Sequence, residues 1–295
     1  MPQISVIVPV YNSDDTIANC LNSICNQTYK NMEIIVVYLD SSDGTLDEIA
    51  SIKDERIKII EQNERTGPGG ARNLGIDAAK GQWLGFVEAD DVIPPDFYEK
   101  LFLQATNEDA DIICGEIVSN GKLWENYRKE KIFRGFNNKY NLINNGASFN
   151  KLFNTEFIKK YNIRFAEGIR WEDNIFIFKS FYFAKAIKVT SAAKYFYNPS
   201  PWSEEYAVRL KGDVVPAAQK IIDFAEFKHF SHQQMKLLQK KIIRSFAGSF
   251  IQDEEVYSRL CKIMNSPLFL HILFWKKRFK QWRKRLKQKF FKKGK

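Results

Sequence analysis

Cysteine and histidine are scarce in this 295-residue chain, with four of the first and three of the second. Cys20, Cys25, Cys114 and Cys261 lack the spacing of a zinc site and are too few to staple a chain of this length. They read as small buried side chains in a reducing compartment. His229, His232 and His271 are not grouped as ligands and read as solvated surface. No apolar run approaches the ~20 residues that a membrane span requires. The opening, MPQISVIVPVYN, has no basic leader, so it is expected to be a first strand and not a targeting signal. Acidic residues are missing from the last stretch: Lys276 to Lys295 holds twelve Lys or Arg and no Asp or Glu. The net charge is +10, so the remaining 275 residues carry about −2 once the tail's +12 is set aside. A folded body without excess positive charge argues against a nucleic-acid partner, whose groove would need cations spread along it.

What is present suits a globular protein: 44% of residues are hydrophobic and 14% aromatic, enough for a sizeable core. ISVIVPV (4 to 10) and EIIVVYL (33 to 39) are near-continuous β-branched runs, the pattern of strands buried on both faces of a parallel sheet. RIKII (56 to 60) and QWLGFV (82 to 87) follow. Helices are expected at 13–27, 44–52 and 69–80, so the first hundred residues alternate strand and helix as an open α/β sheet, with ligands beyond the carboxyl ends of its strands. Further on, a helix is predicted after Pro95 to about Thr106, a strand at 110–118, and an aperiodic loop or flap near the substrate at 119–145. NKLFNTEFIKKY and WEDNIFIFKSFYFAKA read as helical, IKVT and KYFYN as two short strands, and 206–261 as helical.

The chemistry concentrates after the fourth strand, where Glu88, Asp90 and Asp91 crowd together and call for positive charge nearby. Taken alone, this run could be an acidic helix start. Four separated pieces, ISVIVPVYN (4 to 12), SSDGT (41 to 45), GPGGARNLG (67 to 75) and EADD (88 to 91), joined by FNKLFNTEFIKKYNIRF (149 to 165) and EGIRWEDNIF (167 to 176), resemble in order and spacing the family 2 glycosyltransferases. That resemblance covers about residues 4 to 200. It implies a GT-A fold, a Rossmann-like, mostly parallel α/β sheet flanked by helices, and sugar transfer with inversion from a nucleotide-sugar, UDP-linked, to a hydroxyl of a glycan, lipid-linked.

By the same resemblance Asp90 and Asp91 hold Mg²⁺ or Mn²⁺, and Asp173 is the general base. Hard divalent ions prefer carboxylate oxygens and neutralise a departing diphosphate, and an inverting transfer needs a carboxylate to take the acceptor's proton. Donor contacts are expected from Pro9, Tyr11, Asn12, Tyr38, Asp40, Gly70, Arg72, Glu88 and Asp90. Gly70 allows close backbone approach, and Arg72 can fork onto an oxygen. Trp171, Glu172, Asn150 and Lys151 are expected on the acceptor side. The chain departs from the family after the second strand, where Tyr38, Leu39, Asp40 and Ser41 replace an Asp pair before glycine: either Asp40 reads the base or Tyr38 stacks on it. Glu88 stands where the metal motif usually has Asp.

The C-terminal stretch keeps a helical stripe of Leu268, Ile272, Trp275, Phe279, Trp282, Leu286 and Phe290 among Lys and Arg. It reads as an interfacial helix on an anionic membrane, with a partner-docking helix or a nucleic-acid arm as alternatives. Expected organisation is a catalytic domain at 1–205 (nucleotide-sugar half 1–118, acceptor half 119–205), a helical extension at 206–263 and a basic tail at 264–295. The expected location is cytoplasmic, peripheral on the inner face of the cell membrane. Rival readings are a nucleotidyltransferase, which would want basic residues after the first strand where PVYNSDD is acidic, and a non-catalytic nucleotide-sugar-binding or scaffold protein.

Overall fold

The computed structural model describes residues 1–264 apart from 107–108, 120, 126–130, 136–145, 198–203, 240–241 and 243–252. The basic tail and its aromatic stripe lie outside the described residues. The chain divides into two compact units, Met1–Ser203 and Glu204–Lys295.

In the first unit the described residues form one nine-stranded sheet. β1 (Ile4–Val10) and β2 (Met32–Leu39) are buried almost throughout, as their continuous apolar runs require of strands covered on both faces. With β3 (Ile57–Gln62) and β4 (Trp83–Phe86) they make a parallel block in the order β3-β2-β1-β4. The connecting helices are α1 (Ile17–Cys25), α2 (Thr45–Ser51) and α3 (Gly67–Ala78). α1 buries Ile17, Cys20, Leu21 and Ile24, one face at helical spacing. After α4 (Phe97–Thr106) come β5 (Ile112–Ser119), β6 (Lys122–Glu125), β7 (Lys131–Arg134) and β8 (Lys151–Asn154). They are followed by α5 (Thr155–Lys160), α6 (Glu172–Phe183) and β9 (Ala186–Tyr197). The sheet continues from β4 through β8, β5 and β9 to β7, now with mixed directions.

Three expectations change here. Residues 151–154, expected in a helix, form β8, wedged antiparallel between β4 and β5 with Trp83 opposite Asn154 and Ile112 opposite Phe153. A short apolar run buried between two strands has no periodicity to tell it from a helix. The helix begins only at Thr155, where the Asn154 side chain accepts the Phe157 amide at 2.9 Å. IKVT and KYFYN are two ends of one twelve-residue strand, β9. The stretch expected as an aperiodic loop contains β6 and β7.

The described residues of the second unit include α7 (Glu204–Phe227) and α8 (Glu254–Ile263), the latter capped by the Asp253 carboxylate on the amides of Glu255 and Val256. No helix among the described residues is long and apolar enough to cross a membrane.

Candidate functional site

The carboxyl edge of the parallel block presents three turns. After β1, Asn12 adopts a left-handed conformation (φ 46°), its amide donates to Ser41 Oγ at 3.0 Å, and its Oδ1 accepts the Ser42 amide at 3.2 Å. Asp43 accepts from Thr45 N and the Thr45 hydroxyl, so the turns after β1 and β2 are clasped together. Tyr11 is 47% exposed beside this clasp, with the Arg65 guanidinium 5.8 Å from its ring centre. Pro9 is half-buried, and Asp40 is exposed at the same edge.

Tyr38, one of the two candidates for the base, is instead 7% exposed in the core, and its hydroxyl accepts the Ser41 amide at 3.0 Å. It shapes its own turn and has no face open to a base; of the pair, Asp40 is the side chain that meets solvent.

The turn after β4 splits its three carboxylates. Asp90 points to solvent. Asp91, expected beside it as a ligand, is fully buried and accepts a 2.7 Å hydrogen bond from the Tyr195 hydroxyl of β9. Glu88 turns the other way, to Arg72 Nη2 at 2.7 Å.

Arg72 lies in the first turns of α3, where the glycines have a packing reason. A Cβ on Gly69 would sit 2.3 Å from the Ala166 carbonyl oxygen, and one on Gly70 1.8 Å from Thr66 Oγ1. At Gly70, expected to let phosphate or ribose approach closely, the missing side chain also makes room for Thr66. This fit brings α3 against the segment leading into α6. Asn73 Nδ2 donates to the Phe165 carbonyl and to Glu167, and its Oδ1 accepts the Phe165 amide. Trp171, half-buried, then takes a left-handed conformation (φ 67°), which starts α6 at Glu172. A non-glycine residue there is uncommon and strained.

The result is that Arg72, 3% exposed, meets Glu88, Glu172 (Nη1 to Oε1, 2.9 Å) and Asp173 (Nη1 to Oδ1, 3.7 Å). The guanidinium, expected to fork onto a donor oxygen, is here the countercharge of three carboxylates. Burial opposes charge on Arg72, but Glu88, Asp173 and Glu172 together hold it firmly protonated. Its ring neighbour is Phe165, 5.3 Å away, and Nε is buried without a partner among the described residues.

Burial pushes the Asp173 carboxyl up to about 7, with Glu172 and Glu88 adding to the rise while Arg72 and the Ser148 hydroxyl oppose it. Its side chain keeps 21% exposure, so it stays reachable and solvent tempers the shift. Ser148 donates to Oδ1 at 3.3 Å, on the oxygen that faces Arg72. A carboxylate poised near neutrality can both hold and release a proton at physiological pH.

Asn150 and Lys151, expected to meet an acceptor, are 0% and 1% exposed. Asn150 Nδ2 donates to the Gly115 carbonyl at 2.5 Å, and Lys151 Nζ donates to Asn150 Oδ1 and the Ala147 carbonyl. They brace the strap that carries Ser148 toward Asp173. Burial of a cationic side chain demands such partners, which a sequence pattern does not display.

Among the described residues no three His, Cys, Asp or Glu side chains gather into a cluster able to hold an ion. One outward carboxylate at a strand end, Asp90, fits Mg²⁺ or Mn²⁺ when diphosphate oxygens and water complete the shell, the usual arrangement for Mg²⁺ at phosphates. Sequence reasoning missed Arg65, Asn73, Ser148 and Tyr195. Asn73 sat inside a quoted motif; the other three carried no signal beyond an ordinary turn, a strap and an alternating strand. His229 and His232 are exposed, and His271 lies outside the described residues.

Residues 5–170 match the family model described as Glycosyl transferase family 2. The chain is 33% identical over 214 residues to the putative glycosyltransferase EpsH of Bacillus subtilis, covering 67% of this chain and 61% of that protein. It is 26% identical over 285 residues to the GalNAc(5)-diNAcBac-PP-undecaprenol beta-1,3-glucosyltransferase of Campylobacter jejuni, covering 89% and 84%. The chain spans less than two thirds of the length of the first curated relatives it matches. Among solved structures, residues 1–349 of S. aureus TarS in complex with UDP-GlcNAc share the fold, with a TM-score of 0.72 at 22% identity over 89% of this chain and 79% of that one.

Proposed function

The chain belongs to glycosyl transferase family 2 and has the GT-A fold, and from that premise we infer that it transfers a sugar, with inversion, from a nucleotide-sugar to a hydroxyl of a glycan. The observation that carries this reading is the meeting of the turn after β4 and the start of α6 on one buried guanidinium, Arg72, which leaves Asp173 partly exposed and near neutrality beside them. UDP is the favoured carrier because the TarS structure of the same fold holds UDP-GlcNAc. A lipid-linked acceptor is supported by the name of the Campylobacter relative.

In this mechanism Asp173 accepts the proton of the acceptor hydroxyl on Oδ2, which no described residue holds, while Ser148 and Arg72 fix Oδ1. The hydroxyl oxygen bonds to the anomeric carbon, and the bond to the diphosphate breaks on the opposite face, its electron pair leaving with the diphosphate. Asp90 would hold Mg²⁺ or Mn²⁺, which when bound supplies positive charge to the departing diphosphate. Glu172 and Glu88 keep Arg72 in place. Tyr11, Asn12 and Asp40 line the edge where a nucleotide would lie, and Trp171 and Glu172 the acceptor side.

A panel of UDP-, GDP- and dTDP-sugars with polyprenyl-diphosphate-linked saccharides and soluble glycans tests this, with the product's anomeric configuration read by NMR. Retention of configuration would overturn the mechanism. Donor binding without turnover on any acceptor would favour the non-catalytic reading.

The tail extends the proposal to an anionic membrane surface at the cytoplasmic face: its cations supply attraction that salt screens, and its Trp and Phe stripe supplies burial that salt does not. Removing residues 265–295 should release the protein from anionic vesicles while transfer to a soluble acceptor persists. Equal sedimentation of both chains would dismiss the tail as the anchor.

A further inference from the structure

Tyr195 grips the turn that carries Asp90 at two points. Its hydroxyl donates to Asp91 Oδ2 at 2.7 Å and accepts the Glu88 amide at 3.4 Å. Asp91 N in turn donates to the Glu88 carbonyl at 3.1 Å, and Cys20 Sγ donates to the same carbonyl at 3.3 Å. Both Tyr195 and Asp91 are fully buried. A phenol in a core costs free energy unless it is hydrogen-bonded, and phenylalanine would pack as well between Phe97 and Phe149, whose ring centres lie 5.7 and 4.4 Å away. The hydroxyl therefore has work to do at the turn.

A contrast lies nearby: the hydroxyl of Tyr98 is equally buried and has no partner among the described residues. One core phenol is idle; the other closes a turn in which Glu88 reaches Arg72, Asp91 is held inward and Asp90 is left facing solvent. Tyr195 also abuts the acceptor side, since Phe149 against its ring follows Ser148, the donor to Asp173.

We propose that Tyr195 is a positioning residue for the transfer reaction: by holding Asp91 and the Glu88 amide, its hydroxyl fixes the direction in which Asp90 presents its carboxylate to a divalent ion on the donor diphosphate. Asp91 thereby acts through Tyr195 and not as a second ligand. This rests on the reading of the site given above.

The test measures Mn²⁺ binding in the presence of UDP, followed by electron paramagnetic resonance of the free ion. Asp90→Asn should abolish UDP-dependent Mn²⁺ binding. Tyr195→Phe should weaken it roughly 10- to 100-fold, the range for losing a group that orients a ligand. Asp91→Asn, which leaves a weaker acceptor for the hydroxyl, should weaken it by no more than Tyr195→Phe does, and the double variant by less than the product of the two, because both act on the hydrogen bond they share. Tyr98→Phe is the control and should bind as the parent does. Parent-like Mn²⁺ binding by Tyr195→Phe, or losses that multiply in the double variant, would overturn the proposal while leaving the reading of the site intact. If Tyr195→Phe does not fold, the carboxylates decide: a loss in Asp91→Asn as complete as in Asp90→Asn makes Asp91 a ligand and overturns it, and a lesser loss supports it. Failure of the parent protein to bind Mn²⁺ with UDP overturns the metal reading itself, and this inference with it.

Discussion

The two edges of the parallel sheet each bury a carboxylate, and treat it in opposite ways. At the amino edge Glu33 is 3% exposed and accepts from the Ser5 hydroxyl at 2.6 Å, the Lys80 amide at 2.8 Å and Lys58 Nζ at 2.7 Å. Burial alone would raise its titration, but Lys58, Ser5 and the Lys80 amide outweigh it and hold it low. At the carboxyl edge three carboxylates share Arg72, and Asp173 is pushed up to about 7. Donors exceed charge at one edge; charge exceeds donors at the other. The first arrangement pins a fold, and the second keeps a proton movable, which is the mark of a working site.

Exchanging each carboxylate for its amide tests the contrast most severely. Asp173→Asn should lower turnover by about 10²- to 10⁴-fold, the range for losing a positioned base, with donor affinity retained. Glu33→Gln should lower stability and leave turnover of the folded enzyme alone. Steady-state kinetics beside nucleotide titration calorimetry separates the cases, and a collapse of donor affinity in Asp173→Asn would move that residue from catalysis to binding.

The cations come next. Arg72→Met strands buried Glu172 together with the partly exposed Glu88 and Asp173, and should cost roughly 3–5 kcal/mol in urea unfolding at neutral pH. Lys58→Met removes a half-exposed cation from a carboxylate that keeps its other donors, and should cost less than about 1 kcal/mol. Equal costs would erase the distinction between the edges.

Acidity sharpens it further. Asp173 must be ionised to act as a base, so turnover should be lost as pH falls through about 7. Its effect on stability has a defined sign. The unfolded chain releases this proton near 3.8 and the folded chain only near 7, so its contribution declines as pH rises across that interval. Glu33, held low, contributes above its ordinary value of 4.5 and loses that contribution as pH falls through its lowered one. Unfolding curves at several pH values should show the first slope vanish in Asp173→Asn and the second in Glu33→Gln. The smallest effect belongs to Ser148→Ala, which removes a bond that favours ionised Asp173. The acid limb of its turnover profile should move to higher pH, with little change on the plateau; an unmoved limb would separate Ser148 from the base.

Much of this was legible in the sequence, for physical reasons. β1 and β2 announced themselves because strands buried on both faces are apolar without interruption, and the alternation with helices gave the parallel block. The motif positions located Asp90, Glu172 and Asp173 near one edge. Illegible were the relations that only tertiary packing sets: that Arg72 would face carboxylates, that Tyr38 and Lys151 would be buried, and that Asp91 would turn away from Asp90. β8 escaped because four buried residues have no period, and β9 was split in two because Ser191 and Ala192 at its middle are exposed.

The place of β8 in the sheet has a consequence for how the protein is made. It lies between β4 and β5, yet is synthesised after both. Roughly 30 residues separate the end of β5 from its partner, about 2–6 s of elongation at ~5–20 residues per second. Throughout that interval the nascent chain carries two strand edges meant for a neighbour that does not yet exist, and open edges invite pairing with other chains. A chain ending before Lys151 would lack the strand that joins β4 to β5 and would leave both of those edges unpaired.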